Sequence, residues 1–127
     1  MSQQEESHGS DLLEAFSAAW NSHDVDGLMS MMTDDCQFSS SSGTSEAGQK
    51  YFGAAAVREG FAAVFERFKD AAWSDARHTV IGDRGFSEWL FTGTTPEGQK
   101  VEVRGCDLFT FRGRKILIKD SYRKYKA

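Results

Sequence analysis

Asp107, in the run "GCDLFTF", is the side chain best placed to do chemistry. Strand alternation puts Val101, Val103, Asp107, Phe109 and Phe111 on one face, and Glu102, Arg104, Cys106, Leu108 and Thr110 on the other. The first set is apolar except for Asp107. A carboxylate on such a face is poorly solvated, so it is expected to hold its proton more tightly than in water. A protonated carboxyl can donate a hydrogen bond to a developing oxyanion. A tie to Arg123 or to backbone groups would instead leave Asp107 a structural residue. His78, in "DARHTVIG", is the second candidate, because a neutral imidazole can shuttle protons near pH 7. Its face is ambiguous: Val80 supports one parity and Ile81 the other. Glu88, in "FSEWLFTG", depends on the next turn. If "TPEG" is a four-residue loop joining Thr94 to Gln99, then Glu88, Leu90 and Thr92 share the face of Asp107. Two neighbouring carboxyls would then push their pKa values apart. With an odd loop, Trp89 and Phe91 turn inward and Trp89 becomes a ligand platform. The even loop is the expected one.

Ten Phe and three Trp are a generous aromatic supply for such a chain. Phe16, Trp20, Phe38, Phe61, Trp89 and Phe109 each suit ordinary core packing. Collectively they can line a space for a flat hydrophobic ligand. Ser121 and Arg123, in "KDSYRKY", can reach the mouth of that space and meet a carboxylate or ketone. Arg123 equally suits an ion pair with Asp120. His23, in "NSHD", reads as a polar group at a helix junction, and His8 as part of a tail. There is no paired His at helical spacing and no Cys cluster, so no metal is expected. No phosphate loop, "GxSxG" or dinucleotide fingerprint occurs, and no cofactor is expected.

These residues need elements to hold them. Ser10 can cap a helix from Asp11, with Leu12, Leu13, Phe16, Ala19 and Trp20 on one face. Asp24 can cap a second helix carrying Val25, Leu28, Met29 and Met32. "TDD" is expected to end it and "CQFS" to begin a strand. "SSSSGTSEAGQ" reads as a loop. A third helix is predicted over Ala54–Lys69, with Val57, Phe61, Val64, Phe65 and Phe68 as its buried stripe. Beyond Trp73 the period becomes two. Strands are predicted over Ser74–Ile81, Phe86–Thr94, Lys100–Phe111 and Lys115–Tyr125, joined by "GDRG", "TPEG" and "RGR". Helices followed by a meander imply an α+β fold, a curved antiparallel sheet coiled around three helices as a cone with an open mouth.

The 127 residues fit one domain, read as 11–127 behind a disordered polar tail over 1–10. The net charge is −4, and only "RKYK" stands out as basic. That argues against a nucleic-acid or anionic-membrane surface, since phosphate binding needs concentrated positive charge. No hydrophobic run near the N-terminus has signal-peptide or membrane length. Cys36 and Cys106 are read as reduced, semi-buried residues of a cytoplasmic protein.

Three stretches resemble the nuclear transport factor 2-like superfamily, in its SnoaL-like and ketosteroid-isomerase-like branch. They are "AFSAAWNSHDVDGLMSMMTDDCQF", "YFGAAAVREGFAAVFERF" and "VRGCDLFTFRGRKILIKDSY". The resemblance implies a cystatin-like α+β barrel, a deep apolar pocket and a homodimer built through the outer face of the sheet. It also implies an acid at Asp107. The isomerase tyrosine falls on Phe16, which has no hydroxyl, and the isomerase base falls nearest Ser40, a far weaker base. The chain is therefore not a ketosteroid isomerase. Polyketide-cyclase-like chemistry asks less, because an acidic substrate carbon ionises with help from one acid. An epoxide-hydrolase-like relay wants Arg two residues before Asp107, where Gly105 stands. Two readings stay open: a pocket protein for a hydrophobic small molecule with isomerase, cyclase or dehydratase chemistry, and a non-catalytic binding or dimerisation module.

Overall fold

The computed structural model describes residues 3–127. The first helix, α1, is Gln3–Asn21, and it buries Leu13, Phe16, Ala19 and Trp20 as their spacing predicts. It starts well before Asp11, so Ser10 lies inside the helix and is not its cap. Gly9 supplies a reason. A Cβ there would meet Val80 Cγ1 at 3.0 Å, so its absence lets the helix press against the sheet. Tertiary packing outweighs the weak helix propensity of Gly9 and Ser10. Residues 1 and 2 of the expected tail lie outside the described residues.

The second helix, α2, is Val25–Ser30, and Asp24 Oδ1 accepts from the Gly27 N–H at 2.9 Å, as expected of a cap. His23 forms the junction with φ 56°, its Nε2 lies 2.8 Å from the Ala71 carbonyl, and its ring stacks on Phe65. The third helix, α3, is Ala54–Arg67. Of its stripe, Val57, Phe61 and the capping Phe68 are buried, and Val64 and Phe65 pack against the core.

Six strands form one sheet: β1 Met32–Ser39, β2 Lys50–Phe52, β3 Ala72–Ile81, β4 Arg84–Thr94, β5 Lys100–Arg112 and β6 Lys115–Arg123. The order is β2-β1-β6-β5-β4-β3. The four-strand meander is where alternation put it. "TDD" belongs to β1 rather than to a helix end, and β2 is an addition too short to read from its residues. β1 runs parallel to β6 and every other pair is antiparallel, so the sheet is mixed. Edge strands β2 and β3 do not pair, so the curved sheet stays open. The loop between β1 and β2 is tied across its base, Ser40 N–H to Gln49 O at 2.8 Å and Gln49 N–H to Ser42 O at 2.9 Å. Cys36 is buried, Cys106 half-buried, and both are free thiols. Among the described residues no helix is long and apolar enough to cross a membrane.

Candidate functional site

Four neighbouring strands each contribute one polar residue to a single row. His78 in β3 pairs with Ser87 in β4, Ser87 with Asp107 in β5, and Asp107 with Ser121 in β6. Plain alternation would not align them. In β3, Asp75 and Ala76 together oppose Trp89, because Ser74 pairs with Leu90 and Arg77 with Glu88. This bulge, with Asp75 at φ 54°, reverses the parity of the strand, so that Trp73 and His78 both face inward. In β6, Ile116 pairs with Phe111 and Ile118 with Thr110, which leaves Leu117 as an extra residue. Ile116 faces the core before that bulge, and Lys119 and Ser121 face it afterwards.

Lys119 is only 5% exposed. Its Nζ donates to Ser121 Oγ at 2.7 Å and lies 3.2 Å from Asp107 Oδ1. The same ammonium stands 4.8, 4.7 and 5.7 Å from the ring centres of Trp20, Phe38 and Phe61. Burial pushes its pKa below the ordinary lysine range, while the charge of Asp107 pulls the other way. Ser121 Oγ donates to Asp107 Oδ1 at 2.5 Å, and Trp89 Nε1 donates to Oδ2 at 3.1 Å. Gly105, paired with Trp89, makes room for the indole: a Cβ there would fall 2.5 Å from its ring carbons. Asp107 is buried as expected, but it is not a lone acid on a greasy face. It is engaged by an ammonium, a hydroxyl and an indole N–H. Its cationic partner is Lys119 rather than Arg123.

His78 lies on the inner side with Val80, while Ile81 is 69% exposed. Its Nδ1 is 2.7 Å from Ser87 Oγ. Burial lowers its pKa, against the opposing charges of Glu14 and Asp107. Glu88 is exposed on the outer face, and the expected even loop is not formed. Thr94 pairs with Lys100, and Thr95 and Gln99 face each other across Pro96, Glu97 and Gly98, the last at φ 85°. A three-residue turn ending in a left-handed glycine closes the hairpin. Trp89 and Phe91 therefore point inward, and no second carboxyl joins Asp107.

A cavity of about 560 Å³ opens between α3, β1 and the ends of β4 to β6. Trp20, Phe38, Trp73, Trp89, Lys119 and Arg123 line it, with Ser40 and its serine neighbours and Arg67 also on the wall. The Arg123 guanidinium lies 3.8 Å from the Phe91 ring centre. Asp107 does not touch this cavity. It borders a separate void of about 20 Å³ together with Phe16, Ser87 and Phe109. Phe61 is fully buried behind the wall, edge-on to Phe16, Trp20 and Phe38. Lys119, Ser121 and Trp89 thus stand between the cavity and the acid. Lys119 is the residue that sequence reasoning passes over. In "KILIKDSYR" an apolar alternation of Ile116 and Ile118 turns it outward, and only the bulge at Leu117 brings it in.

Several solved structures share this fold. A candidate polyketide cyclase from Xanthomonas campestris pv. campestris superposes with a TM-score of 0.83 at 19% identity, over 94% of this chain and 92% of its own. TerC, co-crystallised with polyporic acid, gives 0.79 at 19% identity over 92% of both chains. An NTF2-like protein from Anabaena variabilis ATCC 29413 gives 0.78 at 21% identity, over 94% and 89%. At these identities the likeness is one of fold. No curated protein matches the chain in sequence. Residues 13–118 match the SnoaL-like domain, and Lys119, Ser121 and Arg123 lie just past that span. With that span matched, the chain belongs to the SnoaL-like domain family.

Proposed function

We propose that this protein binds a flat hydrophobic carbonyl compound in the 560 Å³ cavity and promotes its enolisation without a cofactor, in the manner of a polyketide cyclase or isomerase. The observation that carries the reading is a buried ammonium, Lys119, on the aromatic wall of that cavity and anchored from behind by Asp107. A carbon flanked by carbonyls loses its proton more readily when the enolate oxygen meets a fixed positive charge in a water-poor site. Lys119 supplies that charge, and Ser121 a hydroxyl beside it. Asp107 is a positioning residue here: it holds both groups without touching ligand space. The proton that leaves carbon passes to water in the open cavity; His78 and Ser87 continue the polar row behind Asp107 and lie outside the cavity wall. The structural neighbour TerC was crystallised with the small molecule polyporic acid, which supports a small-molecule ligand.

The test is a thermal-shift screen with aromatic ketones and short polyketides, followed by turnover assays on each hit. A ligand at a hundred times its Kd stabilises the native protein by about 2.7 kcal/mol. Lys119→Met is expected to lower turnover on the order of 100-fold or more, the scale of a lost oxyanion donor. If no such compound binds native protein, the reading is wrong. Binding without turnover in either protein favours the second reading, a non-catalytic ligand-binding module. We also infer a homodimer through the outer face of the sheet. Phe86 and Leu108 pair directly there, Ile118 lies close by, and the helices cover only the other side.

A further inference from the structure

We infer that the ligand is an anion: a flat apolar body carrying a carboxylate or a comparably acidic enol, its charged oxygens read by Lys119 and Arg123. This rests on the pocket assignment above and adds the charge of what enters it. Acidic residues outnumber basic ones in the chain, 19 to 15. The cavity wall nevertheless carries Lys119, Arg123 and Arg67 and no Asp or Glu. Behind it, Asp107 balances one of the two inner cations. Asp120 faces the other side of the sheet, where Tyr122 donates to it. Among the described residues no carboxylate pairs with Arg123. One positive charge is left over at the inner end, and a bound anion would neutralise it.

The hydrogen-bond inventory agrees. Two residues of the wall hold a buried N–H with no acceptor, Trp20 through Nε1 and Arg123 through Nε. Both are donors only. Lys119 has three N–H groups, and Ser121 and Asp107 engage two. A ligand that reaches the third N–H of Lys119 brings an acceptor to it, while the Trp20 and Arg123 N–H groups are closed off from the cavity. The aromatic cage argues the same way. Rings of Trp20, Phe38 and Phe61 would otherwise suit a cationic ligand, but the protein's own ammonium already occupies their faces.

Three probes of matched shape test this by calorimetry: 2-naphthoate, methyl 2-naphthoate and 2-naphthylmethylammonium. The acid is expected to bind at least about tenfold more tightly than the ester, with the ammonium weakest and the margin shrinking at high salt. Arg123→Met is expected to bring the acid-to-ester ratio towards one. Because Lys119→Met alone strands a buried carboxylate, the paired variant Lys119→Met with Asp107→Asn serves as the second arm, and it should reduce the same ratio. Equal affinity for acid and ester in the native protein overturns the anion inference and leaves the pocket assignment standing. A preference for acid that survives both variants overturns it too, since the charge is then read elsewhere. If a broad panel of neutral and charged flat compounds all fail to bind, both readings fall together.

Discussion

Burial works against the Lys119 ammonium, and the fold answers with one carboxylate, one hydroxyl and three ring faces. Such a pair adds little net stability, yet losing one partner costs roughly 3–5 kcal/mol because the other charge is left stranded. The open cavity beside this arrangement is what makes Lys119 the anchor of the functional proposal. His78 gives a prediction at the same scale. Its half-buried ring favours the neutral form, so its folded pKa lies below the usual 6.5. The unfolded chain then binds more protons, and stability declines as pH drops through and below 6.5. An NMR titration of the imidazole is expected to show a midpoint below that value, and His78→Asn to flatten the acid limb of the melting curve. A midpoint at or above 6.5 contradicts the burial seen here.

At the scale of elements, two bulges and one odd hairpin decide what the sheet presents. The bulges in β3 and β6 each reverse a parity, which collects His78, Lys119 and Ser121 on the inner face. The hairpin after β4 keeps Trp89 inward, and its indole crosses Gly105 to reach Asp107. Gly105→Ala would set a methyl group against that ring and against the Tyr122 carbonyl. Overpacking of this kind costs about 1–3 kcal/mol. Urea denaturation should show the loss, and the Trp89 emission should shift as the ring leaves its carboxylate. Unchanged stability and emission in Gly105→Ala would mean that the indole does not lie where its bond to Asp107 requires.

The whole molecule is one sheet with helices on a single side. Its outer face carries Phe86, Leu90, Leu108 and Ile118 half-buried and Tyr122 exposed. A second copy covering that face would remove apolar area from water at roughly 25 cal/mol per Å². Sedimentation equilibrium is expected to give a dimer, and Leu108→Lys, placing a charge at its centre, to give a monomer. A wild-type chain that stays monomeric at micromolar concentration ends the homodimer inference. The cavity opens on the opposite side, between α3 and the strand ends, so such a dimer would leave it accessible.

Periodicity and turn residues alone were enough for three helices, the four meander strands and the buried face of Asp107. Those features depend on neighbours in the chain: a cap at Asp24, a stripe at helical spacing, alternation along β5. The SnoaL-like character was legible for the same reason, in three local stretches. The charged part of the site was not. Glu88 and Trp89 exchanged faces because one hairpin closes with five residues between Thr94 and Lys100 instead of four. Lys119 came inward because Leu117 has no partner across the ladder. An extra residue in one strand leaves no mark in that strand's own composition. It arises from how two strands settle against each other and against the helices, and so the charge at the heart of this protein follows from packing that only the assembled sheet imposes.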